Sequence, residues 1–318
     1  MRKVRVYHVD AFTKEQFGGN PAGVVLGADS LSMNEMQKVA NELNLSETAF
    51  LYKTENAEAD FRVRYFTPTN EINFCGHATI GLSWLLASNL GWTKKKDRIV
   101  LDTNIGLVPV KWHKDGELVT AVEMTQVAPK VNDFNIERSK IAEILGVHEN
   151  DIDKRYPIKI ANTGNWHLLI PIIDQKAIDA AKPNFEKLAR LNQIHNVDTT
   201  HLFTFTPEEQ EYDLYTRDFL PALGVNEDPV TGAANGALSG YLVLENILDP
   251  TIKHTLKIAQ GHTMGRPGML YVTVEPGKTH PIIKVAGSAV VTIEGTLNLQ
   301  PSSSKENLAL SESFHISR

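Results

Sequence analysis

The sequence predicts a mixed α/β protein built from two similar domains, each with strands wrapped around one buried helix. Two segments indicate the buried helices, because residues 76–92 (GHATIGLSWLLASNLGW) and residues 229–244 (PVTGAANGALSGYLVL) contain no Asp, Glu, Lys or Arg. A helix that offers no charged face to water must be enclosed by the rest of the protein. The segments around both helices are short, partly alternating and rich in β-branched and aromatic residues, which is typical of strands.

The two helical segments also lie in similar contexts. RYFTP precedes CGHATIGLSWLL, and RDFLP precedes DPVTGAANGALSGYLV, so that each half contains a strand end, an acidic residue, a glycine turn and a small-residue helix in the same order. This weak internal repeat indicates the duplication of one α/β unit. We assign residues 1–118 to the first domain, with a closing strand near 288–300, and residues 119–287 to the second. We expect the polar residues 301–318 to form a frayed tail.

The remaining elements follow from local patterns. In the first half we predict strands at KVRVYHVDAF, PAGVVLG, LSETAFLYK and DFRVRYFT, and a helix at LSMNEMQKVANELN. Further along the chain we predict strands at RIVLDTNIGLVPVKW, LVTAVEMTQV, PIIKVAG, AVVTIEG and TLNL, a helix at IERSKIAEILG, and a strand pair around the NTGN turn of IKIANTGNWHLLIPI. Gly232, Gly236 and Gly240 are four residues apart and predict a ridge of close approach along the second buried helix.

Composition excludes several classes of function. The 32 basic and 38 acidic residues give a net charge of −6, without a basic block, so we expect no nucleic-acid partner. No apolar run reaches the roughly 18 residues that cross a bilayer, and the N-terminus lacks a signal-peptide pattern, so we expect no membrane association. The single cysteine rules out an internal disulfide and fits a reducing cytoplasm. The glycine-rich stretches match no nucleotide motif, so we expect no cofactor.

The starts of the two buried helices are the first candidate for a functional site. In a duplicated fold they should face each other across the domain cleft, where unpaired N–H groups and the helix dipoles form an anion site. Gly76 and Gly232 would let a carboxylate approach the backbone closely. The alternative is that these glycines only relieve crowding, with Asp228 as an N-cap and Pro229 as the first helical residue. The local pattern favours neither interpretation.

Three side chains near these helix starts are candidates for chemistry. Glu47 interrupts the strand-like run LSETAFL, and a desolvated carboxylate there would have a raised pKa suited to proton transfer; the alternative is a solvent-facing strand position. His77 lies one residue into the first buried helix and is either a structural or a catalytic histidine. Cys75, the only cysteine, is a possible nucleophile, but no acyl-transfer framework accompanies it. No metal-ligand spacing is present, so we expect no metal site.

In QGHTMGRPGM we expect a turn in which Arg266 has a structural role.

Taken together, the motifs resemble those of the phenazine-biosynthesis PhzF-like isomerase family. The matching segments run in order along nearly the whole chain: VDAFT with FGGNPAGVVL, LSETAFL, YFTPTNEINFCGHATIG, EDPVTGAANG and QGHTMGRPG. The resemblance implies the diaminopimelate epimerase-like fold, in which two pseudo-symmetric domains each curl a mostly antiparallel sheet around a central helix. It also implies that the active site lies between these domains.

The resemblance further implies an isomerase that transfers protons on a small carboxylate-bearing substrate without a cofactor. It assigns the acid/base role to Glu47 and places His77 and Asp228 in the same site. The candidate substrate-binding residues are Asn20, Cys75, Gly76, Gly232 and Ala233. The family commonly has serine where this chain has Ala233, so a hydroxyl is missing and the substrate need not be the phenazine precursor.

Two other functions are possible alternatives to this isomerase, and a homodimer is the predicted assembly. Related epimerases use two cysteines, one at each helix start, whereas this chain has Cys75 at the first and Asp228 at the second. A racemase or epimerase that uses Cys75 and Asp228 is therefore the alternative enzyme. A binding protein that kept the fold and lost turnover is the alternative of another class. The resemblance also implies a homodimer.

Overall fold

The computed structural model describes residues 2–300, so the predicted tail at residues 301–318 lies outside the described part. The first half of the chain forms β1 (Arg2–Ala11), β2 (Asn20–Leu26), α1 (Met33–Leu43), β3 (Thr48–Tyr52), β4 (Phe61–Phe66), β5 (Glu71–Ile72), α2 (Gly76–Trp84), β6 (Arg98–Thr103), β7 (Gly106–Asp115) and β8 (Leu118–Thr125).

The second half begins with β9 (Lys130–Asp133), α3 (Arg138–Leu145), β10 (Lys159–Asn162), β11 (Trp166–Pro171), α4 (Gln175–Ala180), α5 (Phe185–His195), β12 (Thr199–Thr204), β13 (Leu214–Leu220), β14 (Val225–Asp228), α6 (Gly232–Leu244), β15 (His254–Gln260), β16 (Gly268–Glu275), β17 (Ile282–Gly287) and β18 (Ala289–Leu299). The predicted helices at α1 and α3 and the predicted strand pair at β10 and β11 are confirmed.

Strand pairing repeats between the two halves. In the first half, β1 pairs with β2, β2 runs parallel to β3, β3 pairs with β4, and β4 runs parallel to β6, which continues through β7 to β8. In the second half, β10, β11, β12, β13, β15, β16 and β17 pair in the same order, with the same two parallel steps. Most pairings are antiparallel. The repeat confirms two pseudo-symmetric α/β units.

The two units are joined by their own strands. β8 of the first unit pairs with β17 of the second, and β18 crosses back to lie antiparallel beside β1, with Arg2 opposite Leu299. Hydrogen bonds therefore run without a break from one unit into the other. The predicted boundary between residues 118 and 119 lies at the start of β8, whereas the pairing order places all of β8 in the first unit. The division into two domains at this position stays a prediction.

Each sheet encloses one of the two uncharged helices. α2 packs against β1, β2, β3, β8 and β18, while α6 packs against β9, β10, β11, β16 and β17. Residues 77–83 of α2 are all buried, as are most residues of α6, in agreement with their lack of charge. α1 covers the outer face of the first sheet, and α3, α4 and α5 cover that of the second. Across residues 2–300, no helix combines the length and the apolar character needed to cross a membrane.

Both buried helices are shorter than the sequence pattern predicts. α2 ends at Trp84 and continues as one π-helical turn, Leu85–Asn89, and Gly91 then adopts the left-handed conformation with φ 68°. The prediction of a helix as far as Trp92 was therefore wrong. α6 begins at Gly232 with Thr231 as its N-cap, because Pro229 and Val230 still belong to the connection from β14. Asp228 ends that strand and is not a helix cap.

The glycine ridge of α6 is confirmed as a surface of close contact. A Cβ atom on Gly232 would lie 3.2 Å from the Phe12 ring, one on Gly236 would lie 3.2 Å from Thr163 Oγ1, and one on Gly240 would lie 2.5 Å from Pro129 Cβ. The last distance is shorter than carbon atoms tolerate, and the proline ring that sets it is rigid. The helix therefore approaches the chain around residue 129 only because Gly240 has no side chain.

We expect Gly240→Ala to lower the free energy of unfolding. Overpacking typically costs about 1–3 kcal/mol, and the better helix propensity of alanine returns at most about 1 kcal/mol. Urea unfolding followed by circular dichroism measures the difference. Gly76→Ala is the control, since the nearest atom to its new Cβ would be Met124 Cε at 3.8 Å. A Gly240→Ala protein at least as stable as the Gly76→Ala protein would contradict the packing argument.

Candidate active site

Glu47 lies directly before β3, at the point where this strand begins to run parallel to β2. Its carbonyl oxygen accepts a hydrogen bond from the Gly23 N–H of β2 at 2.9 Å, so the backbone of Glu47 is held by the sheet. Its side chain is about one-fifth exposed, at 21%. Because Glu47 precedes the strand, strand alternation does not set its direction, and the predicted alternative of a solvent-facing strand position does not apply.

His77 and Cys75 come from the start of α2. Cys75 is the N-cap residue and His77 is the second helical residue, and both are buried. His77 Nε2 lies 3.2 Å from Glu47 Oε2, while Cys75 Sγ lies 3.5 Å from His77 Nδ1. The helix start thus places an imidazole between a carboxylate and a thiol.

Asn20 connects this group to the second half of the protein. It is the first residue of β2 and is fully buried. Its Nδ2 lies 2.9 Å from Asp228 Oδ1, 2.9 Å from the Val230 carbonyl oxygen and 3.2 Å from His77 Nδ1. An amide nitrogen carries only two hydrogens, so the two shorter contacts are the donated bonds. Asn20 therefore holds the strand end before α6 against the start of α2.

Asp228 receives a second hydrogen bond from its own half. The Thr231 hydroxyl donates to Asp228 Oδ2 at 2.6 Å, and Gln260 Nε2 donates to the Asp228 backbone carbonyl at 2.9 Å. The structure therefore brings Asn20, Glu47, Cys75, His77 and Asp228 into one cluster at the junction of the two units. Sequence reasoning missed Thr231 and Gln260, although both lie inside quoted motifs, since polar side chains are common in turns and caps.

The ion pair between Glu47 and His77 sets the charge of both groups. Burial alone raises the pKa of Glu47, but the hydrogen bond and positive charge of His77 outweigh it, and the pKa lies below the ordinary value. Burial opposes a charge on His77, yet the Cys75 sulfur and the Glu47 carboxylate favour the protonated ring and bring its pKa well above the ordinary value. The prediction of a raised Glu47 pKa was wrong, because it considered burial without the histidine.

Asp228 is the carboxyl group whose pKa is raised. Burial raises it to about 7, against the opposing effects of the His77 charge and the Thr231 hydrogen bond. Burial also raises the pKa of the Cys75 thiol, so Cys75 is not an activated thiolate in this setting. At neutral pH the cluster therefore combines an ionised Glu47, a protonated His77 and an Asp228 that exchanges its proton near pH 7.

The same cluster contains the donor atoms that could hold a metal ion. One ligand atom each from Glu47, Cys75 and His77 lies within 4.8 Å of the others. A carboxylate, a thiol and an imidazole are ligand types that Zn²⁺ accepts. Zinc would have to displace the thiol proton and break the ion pair, and the expectation of a metal-free site stays a prediction.

Some of the remaining predicted residues are packed against other side chains, and others are partly exposed beside the cluster. Gly76 is partly exposed and its missing side chain leaves open space, whereas Gly232 is buried against the Phe12 ring. The crowding alternative thus accounts for Gly232 but not for Gly76. Ala233 is partly exposed in the first turn of α6, and its carbonyl oxygen accepts a hydrogen bond from the Thr163 hydroxyl at 3.0 Å. The structural role predicted for Arg266 is confirmed, because it binds Asp10 and the carbonyl oxygens of residues 18 and 19.

Comparison with known proteins assigns the chain to a family. The family model of PhzC-PhzF, described as phenazine biosynthesis-like protein, matches residues 9–295. The chain belongs to the PhzC-PhzF family. A relative from Clostridium acetobutylicum named as an uncharacterized isomerase is 37% identical over 308 residues, which cover 94% of this chain and 99% of the relative. Relatives in the PhzC-PhzF family thus carry isomerase names, and the chain is an enzyme of this isomerase family.

Two further comparisons give a named reaction and solved folds. The trans-2,3-dihydro-3-hydroxyanthranilate isomerase of Pseudomonas aeruginosa is 30% identical over 288 residues, covering 90% of this chain and 96% of that protein. The crystal structure of a PhzF-family phenazine biosynthesis protein from Bacillus anthracis matches with a TM-score of 0.85 and 32% identity, covering 94% of this chain and 100% of that one.

A hydroxyproline epimerase from Agrobacterium vitis matches with a TM-score of 0.64 at 14% identity, covering 96% of this chain and 93% of that one. At this identity the likeness concerns the fold alone. The fold of this chain is thus similar to that of an epimerase, as the resemblance of the sequence motifs predicts.

Proposed function

We propose that the protein isomerises a small carboxylate-bearing substrate by cofactor-independent proton transfer, with Glu47 as the acid and base. The substrate would lie beside Glu47, where the start of α2 meets the strand end before α6. The observation that carries this proposal is the Glu47–His77 ion pair at 3.2 Å, with the Glu47 side chain still one-fifth exposed at 21%. It supplies a carboxylate that is ionised at neutral pH and accessible from one side.

The proposed reaction uses Glu47 twice. Glu47 removes a proton from an acidic carbon of the substrate, the C–H electron pair moves into the conjugated system, and Glu47 becomes protonated. Its carboxyl proton exchanges with solvent, and Glu47 then gives a proton to another carbon on the same face, so that the substrate changes its double-bond pattern but not its formula. Protonated His77 stabilises the ionised form of Glu47 before the reaction and the negative charge on the substrate during it.

Three further groups support binding of an acid in this position. The partly exposed start of α2 at Gly76 offers unpaired N–H groups to a substrate carboxylate, as helix N-termini do. Asn20 Oδ1 is a buried acceptor without a donor among the described residues, and a substrate O–H or N–H can satisfy it. Asp228, with its pKa raised to about 7, is able to donate a hydrogen bond to the developing negative charge.

The name of the Pseudomonas aeruginosa relative suggests the class of substrate. It describes an isomerase of a hydroxylated, partly unsaturated ring acid. We propose a small unsaturated carboxylic acid for this chain as well. The departure at Ala233 argues for a substrate that differs near the first turn of α6, where the family commonly carries a hydroxyl. The predicted homodimer and cytoplasmic location belong to this proposal too.

The proposal predicts that solvent deuterium enters the substrate at carbon. Incubation with a panel of small unsaturated acids in D₂O, including trans-2,3-dihydro-3-hydroxyanthranilate, followed by mass spectrometry, should identify an acid that is converted with deuterium incorporation. Glu47→Gln removes the only proposed base and should lower the rate by at least about 100-fold. Glu42→Gln is the matched control, because Glu42 is exposed on α1. Retained activity in Glu47→Gln would eliminate the assignment.

A second prediction separates this mechanism from the racemase that would use Cys75 and Asp228. The buried Cys75 thiol has a raised pKa and therefore keeps its proton at neutral pH, so it cannot accept one from the substrate. We expect Cys75→Ala to keep most of the isomerase activity. The rate of deuterium incorporation measures this directly. A Cys75→Ala protein without activity that folds normally would support the two-residue racemase. A wild-type protein that binds acids without converting any of them would support the binding-protein alternative.

A further inference from the structure

The region behind Asp228 contains a fully buried amide whose four hydrogen-bonding positions are all used. Gln260, the last residue of β15, is 0% exposed. Its Oε1 accepts from the Thr231 backbone N–H at 3.1 Å and from Asn235 Nδ2 at 2.8 Å. Its Nε2 donates to the Asp228 carbonyl oxygen at 2.9 Å and to Thr231 Oγ1 at 3.1 Å. The N-cap residue Thr231, Asn235 of α6 and the strand end before the helix thus meet at one side chain.

Backbone groups fix the orientation of this amide. The Thr231 N–H can only donate and the Asp228 carbonyl can only accept, so Oε1 must face the first and Nε2 must face the second. Because Gln260 donates to the Thr231 hydroxyl, the single hydrogen of that hydroxyl is directed to its other neighbour, Asp228 Oδ2, at 2.6 Å. A donor that always points at the carboxyl group favours its ionised form.

We propose that Thr231 and Gln260 are positioning residues for Asp228: Gln260 sets the direction of the Thr231 hydroxyl, and this hydroxyl sets the orientation and proton affinity of the Asp228 carboxyl. The proposal rests on the proposed function only in treating Asp228 as a group of the reaction. Burial raises the pKa of Asp228 to about 7, and the Thr231 hydrogen bond, together with the His77 charge, opposes this rise.

Other charged groups around Asp228 also change its pKa, so a test must leave these groups unaltered. His77 on α2 favours the ionised carboxylate, while Glu47 before β3 and Asp218 on β13 disfavour it. Asp218 lies opposite Asp228 in the strand pairing and is itself bound to His201, at 3.1 Å. Thr231 and Gln260 are uncharged, as is Asn20, which donates to Asp228 Oδ1 at 2.9 Å, so changing Thr231 or Gln260 leaves these charges in place.

The test is a titration of Asp228 in the protein labelled with ¹³C at the aspartate carboxyls, followed by NMR. Asp228→Asn identifies the signal, and no substrate is needed. Thr231→Val keeps the shape and removes the hydroxyl, so we expect the Asp228 pKa to rise by about one unit. Thr231→Ser should restore the wild-type value. Thr216→Val is the matched control, because the buried Thr216 hydroxyl contacts Gln260 but not Asp228.

Gln260→Met tests the coupling between the two residues. It should raise the Asp228 pKa in the wild-type background and leave it unchanged in the Thr231→Val background, since Gln260 acts through the hydroxyl. An unchanged pKa in Thr231→Val, or equal shifts for Gln260→Met in both backgrounds, would overturn the proposal. If Gln260→Met does not fold, as judged by its melting curve, the Thr231→Val and Thr231→Ser pair decides the question alone.

The pH dependence of deuterium incorporation separates this proposal from the proposed function. If Asp228 takes part in the reaction, the pH profile of Thr231→Val should move upward by the same amount as the titration. A shifted titration with no detectable turnover of any acid would support the positioning of Asp228 and count against the isomerase mechanism.

Discussion

Two helices without a charged residue require complete enclosure, and the architecture of the protein follows from this constraint. Water is excluded from α2 and α6 by strands on nearly every side, and the chain achieves this with the same order of pairing in both halves. The sides of each helix are occupied by packing contacts. The helix starts are the places where backbone N–H groups stay unpaired, so polar chemistry concentrates there. The site at the junction is thus a consequence of how the cores are closed.

At this junction Asn20 has a role that neither half could fill alone. Its side chain bonds to Asp228 and the Val230 carbonyl in the second unit while touching His77 in the first. The two carboxyl groups that it helps to bring together have opposite tendencies. Glu47 stays ionised because a protonated histidine is beside it, and Asp228 holds its proton more tightly because desolvation outweighs the effects of its partners. Two residues of the same chemical class therefore suit different roles, one as a base and one as a hydrogen-bond donor.

Sequence reasoning succeeded where a property depends on many residues in a row. The absence of charge over two long segments predicted the enclosed helices, and the repeated motif order predicted the duplicated units. It failed to predict where the helices begin and end, and it failed to predict the pKa shift of an individual side chain. The start of α6 at Gly232 depends on the path that Pro229 and Val230 take away from β14, and the sign of the Glu47 pKa shift depends on a histidine thirty residues away. The sequence did not identify Thr231 and Gln260 as site residues for the same reason. Their place in the site follows from contacts that form only in the folded protein.

The proposed mechanism requires that a protonated His77 keeps Glu47 ionised, so the charge of His77 is the decisive quantity to measure. In protein labelled with ¹⁵N-histidine, NMR distinguishes a ring with two protonated nitrogens from a neutral ring. We expect His77 to be doubly protonated at pH 7 and above, well past the ordinary histidine pKa, and Glu47→Gln to lower the pKa of His77. A neutral His77 ring at pH 7 in the wild-type protein would rule out this mechanism, because Glu47 would then lack the positive charge that keeps it ionised.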